Sequence, residues 1–202
     1  MTFWRGKHPL ILASQSRARQ ALLANAGIAF EAVPAGIDER EIQQASGLAA
    51  PGEIASLLAR QKALWVSSRQ PDGIVVGADQ TLALAKQLFS KPAGRAQAAD
   101  QLRTLAGDSH ELHSAVAVAR DGKVLFETVS VARMTMRQLS EAQINAYLDE
   151  AGAAVTTSVG AYQLEGFGIH LFERIEGDHF TILGLPLLPL LAFLRGEGLL
   201  AV

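Results

Sequence analysis

Asp79 follows an apolar run, Ile74-Val75-Val76, and a small pair, Gly77-Ala78. Read as a buried strand, the run delivers Gly77-Ala78-Asp79-Gln80 at its carboxyl end, where open α/β sheets usually bind ligands. A carboxylate presented there can serve as a general base or as a magnesium ligand, or it can be a turn or cap aspartate. Glu39, within Gly36-Ile37-Asp38-Glu39-Arg40, is a second acidic candidate, with an ordinary surface glutamate as the alternative. Lys62 and Lys91-Pro92 are basic positions that could reach phosphate, or could simply be solvated.

A second constellation is Leu12-Ala13-Ser14-Gln15-Ser16-Arg17-Ala18-Arg19. An apolar strand runs into a helix through two serines, so Ser14 or Ser16 can cap the helix, and the free N–H groups of its first turn can bind an anion. Arg17 and Arg19 place positive charge where it opposes the helix macrodipole, and a bound polyanion would reverse that penalty. An ordinary cap followed by solvated arginines is the other reading.

Several chemistries are excluded. The chain has no cysteine, which removes disulfides, thiolate catalysis and cysteine-ligated metals. His110 and His113 are three apart in a strand pattern, so they face opposite ways and cannot share a metal. No Walker, dinucleotide-binding or G-x-S-x-G pattern is present.

The elements that must position these residues alternate between strand and helix, which predicts an α/β fold. Strands are expected at 10–13, 30–33, 74–76 and 168–172, and helices at 17–26, 51–67, 95–105, 140–150 and from Pro186 to Gly196. The helix opened by Pro51-Gly52 is expected to bury Ile54, Leu57, Leu58 and Leu64. Asp121-Gly122 marks a hairpin between 110–119 and 124–133, and Ser140 with Gln143 fits a capping box. The 202 residues suit one domain with two lobes, residues 1–202, the middle block forming the second lobe. Hydrophobic residues at 49% against 19% charged describe a folded chain with a sizeable core. A net charge of −2 supplies no global field for a nucleic-acid backbone, so no nucleic-acid partner is expected. The opening Met1-Thr2-Phe3-Trp4 stretch lacks the core of a signal peptide. The longest apolar run, Ile182 to Leu194, is shorter than the roughly 20 residues a membrane span needs. No membrane partner and a cytoplasmic location are the expectation.

Taken in order, these pieces resemble the Maf family of nucleotide pyrophosphatases over nearly the whole chain. The matching stretches are Leu-Ile-Leu-Ala-Ser-Gln-Ser at 10–16, Ala-Gly-Ile-Asp-Glu at 35–39 and Leu-Ala-Arg-Gln-Lys-Ala at 58–63. They continue with Gly-Ala-Asp-Gln at 77–80, Lys91-Pro92, Leu-Ala-Gly-Asp-Ser-His at 105–110 and Gly-Leu-Pro-Leu at 184–187. The resemblance implies an elongated mixed sheet with flanking helices, two lobes around a nucleotide cleft, related to the house-cleaning inosine triphosphate pyrophosphatases. It also implies attack by water on the α–β phosphoanhydride, dependent on a divalent cation, Mg2+ or Mn2+. Carried over by position, Ser14, Ser16 and Arg19 bind the triphosphate, and Lys62 and Lys91 neutralise it. Glu39 and Asp79 form the acidic, metal-binding pair, with Asp79 orienting and deprotonating the water. By analogy with the family, a homodimer is compatible with the sequence.

The chain departs from the family pattern in four places. The frequent Ser-Pro-Arg-Arg is Ser16-Arg17-Ala18-Arg19 here, Gln80 stands where many members have threonine, and a lysine before Gly160-Ala161-Tyr162 is missing. Members acting on dTTP and UTP tend to carry glutamine where this chain has Glu165, and Glu165-Gly-Phe-Gly-Ile resembles the branch acting on 7-methyl-GTP, as does Gln80 after Asp79. A carboxylate only accepts hydrogen bonds, which suits the guanine N1–H and N2–H2 donors, and its charge favours an N7-methylated base. The alternatives are a dTTP or UTP pyrophosphatase of the same family, and a non-catalytic nucleotide-binding regulator.

Overall fold

The computed structural model describes residues 3–202; Met1 and Thr2, which open the stretch read above for a leader, lie outside them. The strands are β1 (Leu10–Leu12), β2 (Phe30–Ala32), β3 (Val75–Leu84), β4 (Gln87–Phe89), β5 (Ser109–Arg120), β6 (Lys123–Met136) and β7 (Phe172–Glu176). The helices are α1 (Arg17–Asn25), α2 (Glu39–Ser46), α3 (Pro51–Ser67), α4 (Arg95–Leu105), α5 (Glu141–Ala151), α6 (His179–Ile182) and α7 (Leu187–Gly196). The strand order is β2-β1-β3-β5-β6-β7, with β4 paired to β3. β1 runs parallel to β2 and β3, whereas β4 is antiparallel to β3 and β7 to β6, so the fold is mixed α/β, as the sequence predicts.

The chain divides into two compact units, with divisions inside β3, β5 and β6 and a fourth between β7 and α6. The first holds residues up to Gln80, 114–130 and 179–202. Its sheet is buried on both faces. Leu10 and Leu12 of β1, Val76 and Ala78 of β3, and Val116 and Val118 of β5 pack with Leu22 and Leu23 of α1 and Leu190 and Leu194 of α7. Side chains alternate along a strand, so Ala115, Ala117 and Ala119 turn the other way, against Ala55, Ala59 and Ala63 of α3. These small residues allow a close approach. At Gly77 there is no room for a side chain at all, because a Cβ would run into the Ala59 carbonyl and lie 2.6 Å from the Ala63 amide. That contact sets α3 directly on the strand that carries Asp79.

The second unit holds 81–113 and 131–178. Helices α4 and α5 are joined by ion pairs, Arg103 to Glu141 at 2.7 Å and Arg95 to Asp149 at 2.8 Å. Ser140 caps α5 in a full capping box with Gln143, as its sequence predicts. His110 is fully buried, and its Nε2 lies 2.7 Å from the Tyr162 hydroxyl.

Four local expectations need correction. β3 does not stop at Val76; it runs on to Leu84 because Leu82, Ala83 and Leu84 pair with β4 across a tight turn in which Ala85 has φ 52°. Residues 168–172 are not a strand. The backbone winds into a 3-10 turn at Phe167–Leu171, packed so closely that a Cβ at Gly168 would meet the Gln163 carbonyl, and β7 begins at Phe172. On α3 the buried face is Ile54, Ala55, Leu58, Ala59, Ala63 and Val66, while Leu57 and Leu64 are only half-buried. Short alanines, which a search for large apolar residues passes over, make the contact. Helix α2 was not expected, although its signals were there. Asp38 caps it by accepting from the Arg40 and Glu41 amides, acidic residues fill its first turn, and Gly47 closes it at φ 65°.

Candidate active site

Helix α1 follows β1 after the short link 13–16. Ser16 is its N-cap, with Oγ accepting from the Arg19 amide at 3.4 Å. Ser14 Oγ accepts the Ser16 amide at 3.3 Å and Arg19 Nη1 at 3.2 Å, which leaves its own proton to donate elsewhere. As at any helix start, the first amides have no acceptor within the helix. Ser14, Ser16 and the first turn thus present hydrogen-bond donors, and a positive helix end, to an anion.

Arg19 does two jobs at once. It is nearly buried, and its Nε donates to the Gly184 carbonyl at 2.7 Å and its Nη1 to the Ala78 carbonyl at 2.8 Å. Burial pulls its pKa down, opposed by the charges of Asp79 and Glu39, and a guanidinium keeps its proton regardless. It therefore ties α1, β3 and the turn at Gly184 together while holding a fixed positive charge beside the acidic residues. Gly184 has φ 88°, and a Cβ there would lie 3.3 Å from Arg19 Nε, so the turn has both a conformational and a spatial reason for glycine.

Asp79 sits in the interior of β3, three residues past its last paired position with β1, Val76. It is 7% exposed, and Lys62, 8% exposed, reaches it from α3 with Nζ 2.6 Å from Asp79 Oδ1. The same Nζ lies 2.9 Å from Glu39 Oε1, at the first residue of α2, where a carboxylate is favourably placed against the helix dipole. Burial raises the Asp79 pKa, and Lys62 and Arg19 pull against it. A carboxylate raised this way is a stronger base than one in water.

Gln80 turns in the opposite sense from Asp79, as neighbours on a strand do. Its Nε2 donates to the Thr181 and Ile182 carbonyls, both at 3.0 Å, and approaches Ser114 Oγ at 2.8 Å. Ser114, fully buried, donates to the Thr181 carbonyl at 2.7 Å. The Gln80 amide nitrogen is thereby spent within the protein, and only its oxygen is left for a ligand.

Of the residues singled out from sequence, the first unit holds Ser14, Ser16, Arg19, Glu39, Lys62, Asp79 and Gln80; it brings the first six together, whereas Gln80 faces away from Asp79 toward the 181–182 turn. Lys91, exposed after β4, and Glu165, exposed in the turn before the 3-10 segment, belong to the second unit. Sequence reasoning missed Ser114 and gave no role to Gly77 and Gly184. Gly184 lies in a stretch already singled out, but its pairing with Arg19 spans 165 positions and leaves no local trace.

Among the described residues no group of three or more histidine or acidic side chains could hold a metal. Asp79 and Glu39 are two hard oxygen donors. They fit Mg2+ or Mn2+, which proteins commonly hold through one or two carboxylates with substrate phosphate completing the shell.

Residues 9–197 match the family profile described as Maf-like protein. Over their full lengths, the chain is 73% identical to a nucleoside triphosphate pyrophosphatase of Bradyrhizobium diazoefficiens and 68% identical to one of Rhodopseudomonas palustris. It is 51% identical to a 7-methyl-GTP pyrophosphatase of Brucella abortus, over 93% of this chain and 96% of that one.

Proposed function

Because the chain belongs to the Maf-like family, we propose that it is a nucleoside triphosphate pyrophosphatase, releasing pyrophosphate and a nucleoside monophosphate, with 7-methyl-GTP as the preferred substrate. The observation that carries the reading is the enclosed Lys62–Asp79 pair with Arg19 behind it and an anion-ready helix start beside it. A buried ion pair is a poor way to gain stability, whereas a raised carboxylate among cations is a good way to move a proton near phosphate.

Within this reading Asp79 orients the attacking water and accepts its proton. Arg19 supplies fixed positive charge, and Ser14, Ser16 and the first amides of α1 hold phosphate oxygens. Charge stabilisation of this kind is the larger part of phosphoryl-group catalysis. Asp79 and Glu39 would hold the divalent cation, which when bound acidifies water and offsets phosphate charge. The names of the full-length relatives support the general activity, and the Brucella relative supports the base. On side-chain chemistry alone, Glu165 is the group proposed to select that base, its acceptor oxygens matching guanine donors. Lys91 as a phosphate counter-charge and a homodimer are parts of the proposal that rest on the resemblance, and a cytoplasmic setting is proposed with them.

Pyrophosphate release from 7-methyl-GTP, GTP, UTP, dTTP and CTP, with Mg2+ or Mn2+, tests the reading. The expected result is that 7-methyl-GTP leads and that Glu165→Gln narrows its advantage over the pyrimidines. A lead for UTP or dTTP would keep the activity and reject the base assignment. Binding of nucleotide without cleavage would favour the regulator.

A further inference from the structure

One cation already bridges the two carboxylates. Lys62 Nζ lies 2.6 Å from Asp79 Oδ1 and 2.9 Å from Glu39 Oε1. A divalent cation held between the same two carboxylates would need the place that the ammonium head now takes. The ammonium and the ion cannot occupy that position together. The charges of the nearby groups also balance as they stand: Lys62 and Arg19 are positive, Asp79 and Glu39 negative. Adding a divalent ion alone would leave excess positive charge among side chains that are mostly enclosed, at a heavy desolvation cost.

We propose that Lys62 is the resident counter-ion of the Asp79–Glu39 pair in the nucleotide-free protein. It gives up that position to a divalent cation only when nucleotide phosphate arrives to take its charge. The inference rests on the proposed metal-holding role of the two carboxylates. Lysine suits this exchange better than arginine would, because it carries a compact charge on a flexible four-carbon stem. Its stem can stay packed on α3 while the head swings from carboxylate to phosphate. Arg19, fastened to the Gly184 and Ala78 carbonyls, has no such freedom. Metal and nucleotide therefore enter as companions, and the free protein holds metal weakly.

The test is Mn2+ binding to the full-length protein without nucleotide, followed by the paramagnetic resonance of free Mn2+ at about pH 8, where unperturbed carboxylates are ionised. Wild type is compared with Lys62→Met, Lys62→Gln and Lys62→Arg, each checked for folding by circular dichroism. The neutral variants should bind Mn2+ at least about tenfold more tightly than wild type, in the range of ordinary coupling between sites, and Lys62→Arg should not. Two neutral variants are included so that one that fails to fold does not decide the matter. Equal affinity in wild type and the neutral variants would overturn the inference. So would a gain that survives Asp79→Asn in the Lys62→Met background, because the ion would then sit elsewhere. Pyrophosphate release that persists in wild type after complete chelation is a different result: it would remove the metal-dependent reading itself.

Discussion

Both units bury titratable side chains, and they handle charge in opposite ways. In the first, Lys62 and Asp79 are nearly enclosed as an ion pair, with Arg19 behind them and Glu39 at the rim. In the second, His110 and Tyr162 are enclosed as a neutral pair. Burial lowers the imidazole to about 4 and pushes the phenol well above its ordinary value. His110 Nδ1 has no hydrogen-bond partner, and no acid or base is among the causes of its shift. Burial disfavours charge everywhere, so charge survives in the first unit only because opposite charges were placed together. Apolar residues of similar volume would often stabilise a fold as well or better. The charged cluster is accordingly read as chemistry and the neutral pair as architecture.

The first way to break this comparison is acid. An unfolded histidine has its ordinary pKa near 6.5 and folded His110 about 4, so between these values the unfolded chain binds more protons. Stability should fall as pH drops through this window, by about 3 kcal/mol in total once below it. Denaturant unfolding between these pH values should show the loss in wild type and a flatter profile in His110→Gln. Equal profiles would mean that His110 is not held neutral by its surroundings.

Moving α3 sharpens the other half. Gly77→Ala places a methyl group against the backbone of Ala59 and Ala63. Overpacking of this kind costs about 1–3 kcal/mol. Because α3 carries Lys62, activity should fall about 100-fold, the usual result of a 1 Å displacement of reacting groups. Retained activity with lowered stability would show that the Lys62–Asp79 distance is not critical. A smaller effect is expected at Gly184→Ala, about 1–2 kcal/mol for the positive φ. Its signature is a raised KM with kcat nearly unchanged, since the turn holds Arg19 and does not touch Asp79 directly.

Much of this was legible in the sequence because the signals were local. A serine cap at 14 or 16, which the structure resolves to Ser16, the Ser140 capping box, the Asp121-Gly122 hairpin turn and the 51–67 helix all follow from a few adjacent residues. Asp79 was found for a partly mistaken reason: it was placed at a strand end and lies inside a longer strand, whose second half is defined by pairing with β4. What stayed hidden depends on distant contacts. Nothing near Gln80 announces that its amide holds the 181–182 turn, and nothing near Gly184 announces Arg19. Lys62 was carried over as a phosphate counter-charge, but nothing near it in sequence announces its contacts with Asp79 and Glu39.

The most direct measurement hydrolyses 7-methyl-GTP in heavy-oxygen water with wild type and Asp79→Asn, reading the products by mass spectrometry. The account predicts 7-methyl-GMP and pyrophosphate in equal amounts from wild type, with one heavy oxygen entering the pair. It predicts a rate about 1,000-fold lower in the variant, within the range for removing a general base. Release of orthophosphate with 7-methyl-GDP, or an undiminished rate in Asp79→Asn, would contradict it.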